Sequence, residues 1–104
     1  MEISVEELKS RMDRGDDFVL LDVREPHETL MCAIPNSSLM PMAQVPHRLA
    51  ELDRARDLVV YCRSGHRSAH VVTFLRRRGF DRAVNLRGGV LDWIDRIDPT
   101  QPKY

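Results

Sequence analysis

Cysteine is nearly absent: the 104 residues hold only Cys32 and Cys62, and these do not form a C-x-x-C pair. Two thiols are too few for a disulfide scaffold, which points to a reduced, intracellular setting. Long apolar runs are missing too. No stretch approaches the roughly 20 consecutive apolar residues of a membrane helix, and Met1-Glu2-Ile3-Ser4-Val5-Glu6-Glu7 lacks the basic start and apolar segment of a secretory leader. We therefore expect a cytoplasmic protein with no membrane partner. Net charge is absent as well, because 16 basic side chains balance 16 acidic ones. Without a global field there is no reason to expect a nucleic-acid partner, and any anion binding must be local. Lysine is scarce: Lys9 and Lys103 apart, every basic residue is an arginine. Arginine pairs with planar or tetrahedral oxyanions through a fixed fork, which mildly favours an anionic substrate.

What is present fits one domain. With 42% hydrophobic residues, a chain this long buries roughly 65% of the surface its unfolded form exposes. We expect one core over residues 1–98 and a flexible C-terminal tail over 99–104. Ser4 followed by Glu7 is a capping box, and Val5, Leu8 and Met12 recur at helical spacing until Gly15. Phe18-Val19-Leu20-Leu21-Asp22-Val23 and Leu58-Val59-Val60-Tyr61 are apolar runs of strands buried on both faces, the signature of a parallel sheet. Short strands are expected near Ser37–Leu39 and Ala83–Leu86, and a helix through Val45, Leu49 and Leu52. Two more helices carry Val71, Val72, Phe74 and Leu75, and then Val90, Trp93, Ile94 and Ile97, on one face each. Strands alternating with helices give an α/β domain, in which ligands bind beyond the carboxyl ends of the strands.

The strand ending at Tyr61 runs straight into Cys62-Arg63-Ser64-Gly65-His66-Arg67-Ser68 and then a helix. A cysteine placed there meets loop N–H groups and the positive end of the helix, with Arg63 and Arg67 adding fixed charge. Its thiol should ionise well below the ordinary range, with a pKa of roughly 5 to 7. Gly65 suits a loop that turns several N–H groups toward one centre. Ser64 and Ser68 are candidate hydrogen-bond donors, and His66 is an exposed loop residue that can steer anions.

Three segments in order resemble the rhodanese family over Phe18 to Trp93: Leu21-Asp22-Val23-Arg24-Glu25-Pro26-His27-Glu28, the Cys62–Ser68 loop, and Asn85-Leu86-Arg87-Gly88-Gly89 followed by Trp93. The resemblance implies a five-stranded, mainly parallel sheet flanked by helices on both sides. It implies a six-residue loop cradling a persulfide on Cys62, with no cofactor and no metal. It also implies a two-step reaction, in which the thiolate takes the outer sulfur of a donor such as thiosulfate and passes it to cyanide in assays or to a thiol or protein acceptor in cells. Elementary chemistry agrees, since attack on sulfane sulfur follows thiol exchange and sulfite is a stable leaving anion. In this scheme Arg63 holds the donor's sulfonate and Arg67 closes the loop.

Plainer assignments compete with these. Cys32 reads as a packed, inert thiol. It stands in Cys32-Ala33-Ile34-Pro35-Asn36-Ser37, where the family commonly has Gly-His-Ile, so any contact from that histidine is lost. Cys62, His66 and His70 share a metal-ligand spacing, but Gly65 interrupts the helical path and no fourth ligand stands out. Asp22, Arg24 and Glu28 read as a salt bridge bracing the loop from behind, and Arg76-Arg77-Arg78 as the cationic last turn of a helix. A phosphatase or arsenate reductase is a rival, but such loops usually set five residues between cysteine and arginine, whereas four separate Cys62 from Arg67. A carrier that presents persulfide to a dedicated partner is the other rival.

Overall fold

The computed structural model describes residues 1–104. Its elements run β1 (Glu2–Ile3), α1 (Val5–Arg14), β2 (Phe18–Asp22), α2 (Pro26–Thr29), β3 (Ser37–Leu39), β4 (Asp57–Tyr61), α3 (His66–Arg77), β5 (Ala83–Leu86) and α4 (Gly89–Arg96), with two 3-10 helices, Met42–His47 and Leu49–Glu51, between β3 and β4. The strands form one sheet in the order β1-β5-β4-β2-β3, and every pairing is parallel. The α/β architecture implied by the resemblance is therefore present, and β1 supplies the fifth strand.

Side-chain alternation along β4 divides the core in two. Val59 and Tyr61 face one way and pack with Val5, Leu8, Val90, Trp93 and Ile94, so α1 and α4 cover that side. Leu58 and Val60 face the other way and pack with Val71, Val72 and Leu75 of α3. The same alternation carries Cys62, one residue past the strand, onto the α3 side. Cys32 belongs to the opposite core.

Local chemistry accounts for the helix ends. Ser4 Oγ accepts the Glu7 N–H at 3.1 Å, and the Gly15 N–H returns to the Arg11 and Met12 carbonyls to end α1. The helix expected through Val45, Leu49 and Leu52 is instead the pair of 3-10 helices. Pro46 lies inside the first, where it has no N–H to donate, and Arg48, at φ −125°, breaks the path. Arg76 and Arg77 occupy the last turn of α3, as the dipole argument expects. No helix is long and apolar enough to cross a membrane.

Candidate active site

The chain reverses its direction of progress across the sheet between β2 and β4, because β3 lies outside β2 and β5 lies on the other side of β4. Beyond the carboxyl ends of these two central strands lie Asp22-Val23-Arg24 and Cys62-Arg63-Ser64, the position in which open parallel sheets bind ligands. Asp22 and Tyr61 are register partners, so the two segments leave the sheet side by side.

Cys62 is 1% exposed. Its Sγ accepts the Gly65 N–H at 3.1 Å and the Ser68 hydroxyl at 3.3 Å. Burial alone pushes this thiol up, but hydrogen bonds from the Ser68 side chain and from the Ser68, Gly65 and Ser64 N–H groups outweigh it and hold the thiol below its ordinary range. The shift has the direction expected from the sequence.

The N–H groups turn inward because the carbonyls are tied outward. The Val90 N–H donates to the Cys62 carbonyl at 3.0 Å and the Leu91 N–H to the Arg63 carbonyl at 3.1 Å, so the first turn of α4 spends its free donors on the loop backbone. Gly89 makes that approach possible. A Cβ there would lie 2.5 Å from both carbonyl oxygens. On the far side of the loop Gly65 sits at φ +108°, which a glycine adopts without the Cβ penalty. Its carbonyl accepts the Ala69 N–H at 3.1 Å and the Asn85 side-chain amide at 3.2 Å.

The other expected loop residues divide. Ser68 is fully buried against the sulfur, whereas Ser64 and His66 are exposed at the rim. Arg67 forms a two-pronged pair with Glu28, Nη1 to Oε1 at 2.7 Å and Nη2 to Oε2 at 2.8 Å. Glu28 also accepts the Glu25 N–H at 2.9 Å and the Tyr104 hydroxyl at 2.7 Å. These donors, Arg67 foremost, hold the Glu28 carboxyl well below the usual carboxylate range against the opposing effect of burial. The same bonds keep Arg67 charged beside the cysteine.

Asp22, Arg24 and Glu28 do not form one ion-pair set. Asp22 binds Arg24, Oδ2 to Nη2 at 2.8 Å, with both side chains buried, and Glu28 pairs with Arg67 instead. The two pairs are linked by the Tyr104 hydroxyl, which accepts from Arg24 Nη1 at 3.0 Å. Arg24 also donates to the Cys32 carbonyl at 2.8 Å, so it braces the segment after α2. Of the three, only Glu28 hydrogen-bonds to a residue of the loop.

Arg63 is bound to Tyr104. Its Nε donates to the Tyr104 carbonyl at 2.6 Å, and its Nη2 donates to the same oxygen. The segment 99–104 thus lies against the domain rather than apart from it. Cys32 is buried on the other side of the sheet from Cys62. His66 and His70 are exposed while Cys62 is buried, so the three do not converge, and no group of three or more His, Cys, Asp or Glu side chains is placed to hold a metal ion.

The sequence alone assigns two residues of this geometry no part in the loop. Asn85 left a signal, a polar side chain in the short apolar strand Ala83–Leu86, and it reaches the loop from there. Tyr104 left none, since its contacts join positions up to 80 residues apart.

Comparison with known proteins gives the same picture. The rhodanese-like domain matches residues 4–96. A sulfurtransferase of Allochromatium vinosum is 40% identical over 92 residues, covering 88% of this chain and 86% of that protein. A putative sulfurtransferase of Bacillus subtilis is 35% identical over 98 residues, 94% of each chain. The crystal structure of a rhodanese-like domain protein from Staphylococcus aureus has a TM-score of 0.85 at 33% identity, covering 100% of this chain and 99% of that one. Because the matched stretch takes in α1 through α4, with β2 to β5 and the cysteine loop between them, the chain belongs to the rhodanese-like domain family.

Proposed function

We propose that the protein is a sulfurtransferase that carries sulfur as a persulfide on Cys62, taking it from an anionic donor such as thiosulfate. The observation that carries this reading is the convergence of the Ser68 hydroxyl and the loop N–H groups on one buried sulfur. That arrangement stabilises a negative charge on sulfur without a cofactor, much as an oxyanion hole stabilises charge on oxygen.

In the first step the Cys62 thiolate attacks the outer sulfur of thiosulfate. A bond forms between Sγ and that sulfur, the S–S bond of the donor breaks, and sulfite leaves with the electron pair. The product is the Cys62 persulfide anion, whose outer sulfur lies one bond beyond Sγ, within the field of the Ser64, Gly65 and Ser68 donors. In the second step a nucleophilic acceptor attacks the outer sulfur. Cyanide leaves as thiocyanate, a thiol leaves as its own persulfide, and Cys62 returns to the thiolate. Arg67, held by Glu28, supplies fixed positive charge in both steps. Arg63 receives the sulfonate of the donor once it is released from Tyr104.

The small size of the loop supports sulfur over phosphate as cargo. Four residues separate Cys62 from Arg67, and the donors that converge inward do so on Sγ itself. The test is thiocyanate production from thiosulfate and cyanide. Turnover by the wild type that vanishes in Cys62→Ser supports the reading, and turnover that survives the substitution refutes it. The carrier reading has one observation in its favour, the burial of Cys62, which suits delivery to a partner that opens the loop. Slow thiosulfate turnover with fast transfer from loaded Cys62 to a protein thiol is its signature.

A further inference from the structure

Asn85 is out of character with its strand. β5 reads Ala83-Val84-Asn85-Leu86, and Asn85 is only 8% exposed. Strand alternation puts it on the same face as Ala83, which packs with α3. Its side chain makes one hydrogen bond, from Nδ2 to the Gly65 carbonyl at 3.2 Å, while Oδ1 is buried with no partner. A buried amide left half unsatisfied is unfavourable for stability beside an apolar side chain in the same place. The bond to Gly65 is what an apolar residue there could not supply.

That bond falls on the residue about which the cysteine loop turns. Gly65 has φ +108°, and glycine takes positive and negative φ about as readily, so nothing in Gly65 itself selects this conformation. Gly65 is also the N-cap of α3, with no side chain to cap the helix, and the donors at this end are turned on sulfur instead. The Gly65 N–H and the Ser68 hydroxyl reach Cys62 Sγ at 3.1 and 3.3 Å, and the Ser64 and Ser68 N–H groups add to them.

Asn85 holds Gly65 from a fixed base. β5 lies between β1 and β4, and Asn85 is the register partner of Glu2 on one side and of Val60, two residues before Cys62, on the other. A Cβ on Gly65 would stand 3.7 Å from Asn85 Nδ2 and 3.5 Å from the Gly88 nitrogen, so the amide also packs against the turn. The Ala69 N–H ties the Gly65 carbonyl into α3 at 3.1 Å; the Asn85 amide ties it to the sheet.

We propose that Asn85 is a positioning residue for the Cys62 thiolate: by tying the Gly65 carbonyl to β5, it holds the loop N–H groups on Sγ. The proposal rests on the reading of Cys62 as the nucleophile. Arg67, the charged group that senses Cys62, is held by Glu28, and Asn85 hydrogen-bonds to neither. Leu21 of β2, Val45 of the first 3-10 helix and Val71 of α3, which cluster with Cys62, carry no charge. Loss of the amide therefore leaves the fixed charge in place, lets Gly65 relax, and withdraws part of what stabilises the thiolate. The effect falls on how readily the thiol ionises. The thiolate, once formed, stays at least as reactive, because nucleophilicity rises with pKa.

Asn85→Val removes the bond and the orphaned oxygen together. The pH profile of iodoacetamide alkylation at Cys62 reads the outcome, with Cys62→Ser supplying the background from Cys32 and urea unfolding measured alongside. Asn85→Val is expected to unfold at a urea concentration no lower than the wild type. Its alkylation at neutral pH is expected to be about threefold slower, the worth of one neutral hydrogen bond, with the midpoint of the profile moved to higher pH and no fall in the plateau at high pH. Asn85→Ala, which removes the bond without adding bulk, is expected to give the same profile. A role confined to packing would change the urea midpoint or the plateau and leave the pH midpoint where it was. A wild-type pH midpoint in whichever variant folds, or failure of both to fold, overturns the proposal. Alkylation needs no sulfur donor, so a failure of thiosulfate to load Cys62 defeats the sulfurtransferase reading and leaves this result intact.

Discussion

Glu28 of α2 and Arg67 of α3 meet through two parallel hydrogen bonds, 2.7 and 2.8 Å long, across 39 residues of sequence. This pair fixes the last arginine of the cysteine loop to the element that follows β2. Glu28→Gln keeps the shape and removes the charge. Breaking the pair is expected to cost about 1 to 3 kcal/mol, between the values for exposed and buried pairs. Because the Glu28 carboxyl is held well below its usual range in the folded protein, the folded state binds fewer protons than the unfolded state as pH falls below about 4.3. The wild type's advantage over Glu28→Gln is therefore full at neutral pH and shrinks on acidification through the folded-state value. Urea unfolding of both proteins across this range checks it.

Ser68 reaches Sγ of Cys62 at 3.3 Å from the first turn of α3. Its hydroxyl is among the groups that lower the Cys62 pKa. Ser68→Ala is expected to raise that pKa toward the ordinary range, because it removes one of the hydrogen bonds that favour the thiolate. The pH dependence of iodoacetamide alkylation measures it. A midpoint for the wild type near the ordinary 8.5, or no shift in the variant, contradicts the assignment.

Gly89 lies with its Cα against the loop backbone, and an added Cβ would stand 2.5 Å from the Cys62 and Arg63 carbonyl oxygens. Neither oxygen can yield without losing its bond to the N-terminus of α4. Gly89→Ala is expected to destabilise the fold by about 1 to 3 kcal/mol, the usual cost of overpacking, and to slow alkylation of Cys62. Asn85→Ala provides a comparison, since it removes one of the two hydrogen bonds to the Gly65 carbonyl without a collision.

Cys32 and Cys62 pack on opposite faces of the sheet. The sheet separates the two thiols, so Cys32 is not placed to pair with Cys62. Cys32→Ala is expected to load sulfur at the wild-type rate and to lose about 1 kcal/mol of stability through the small cavity left beside Arg24. Loss of loading in this variant, with its fold intact by circular dichroism, runs against the assignment.

Much of this was legible in the sequence because it is local. The apolar runs of β2 and β4, the Ser4 cap of α1 and the step from Tyr61 into the Cys62 loop each depend on residues a few positions apart. What escaped depends on distant partners. β1 has only Glu2 and Ile3, too short to show a period, and exists because β5 offers it a parallel edge. The 3-10 helices follow the apolar spacing of a helix, but Pro46 removes a donor that spacing does not register. Glu28 was grouped with Asp22 and Arg24 by proximity in sequence, whereas its true partner lies beyond β4. The docking of residues 99–104 depends on Gln101 meeting Ala33 across 68 positions, which no local pattern records.

Intact-mass spectrometry of the purified protein before and after exposure to thiosulfate, with Cys62→Ser alongside, shows whether Cys62 takes up sulfur. The expected result is a gain of one sulfur atom that requires Cys62 and is removed by cyanide. An unchanged mass, or a gain that persists in Cys62→Ser, contradicts it.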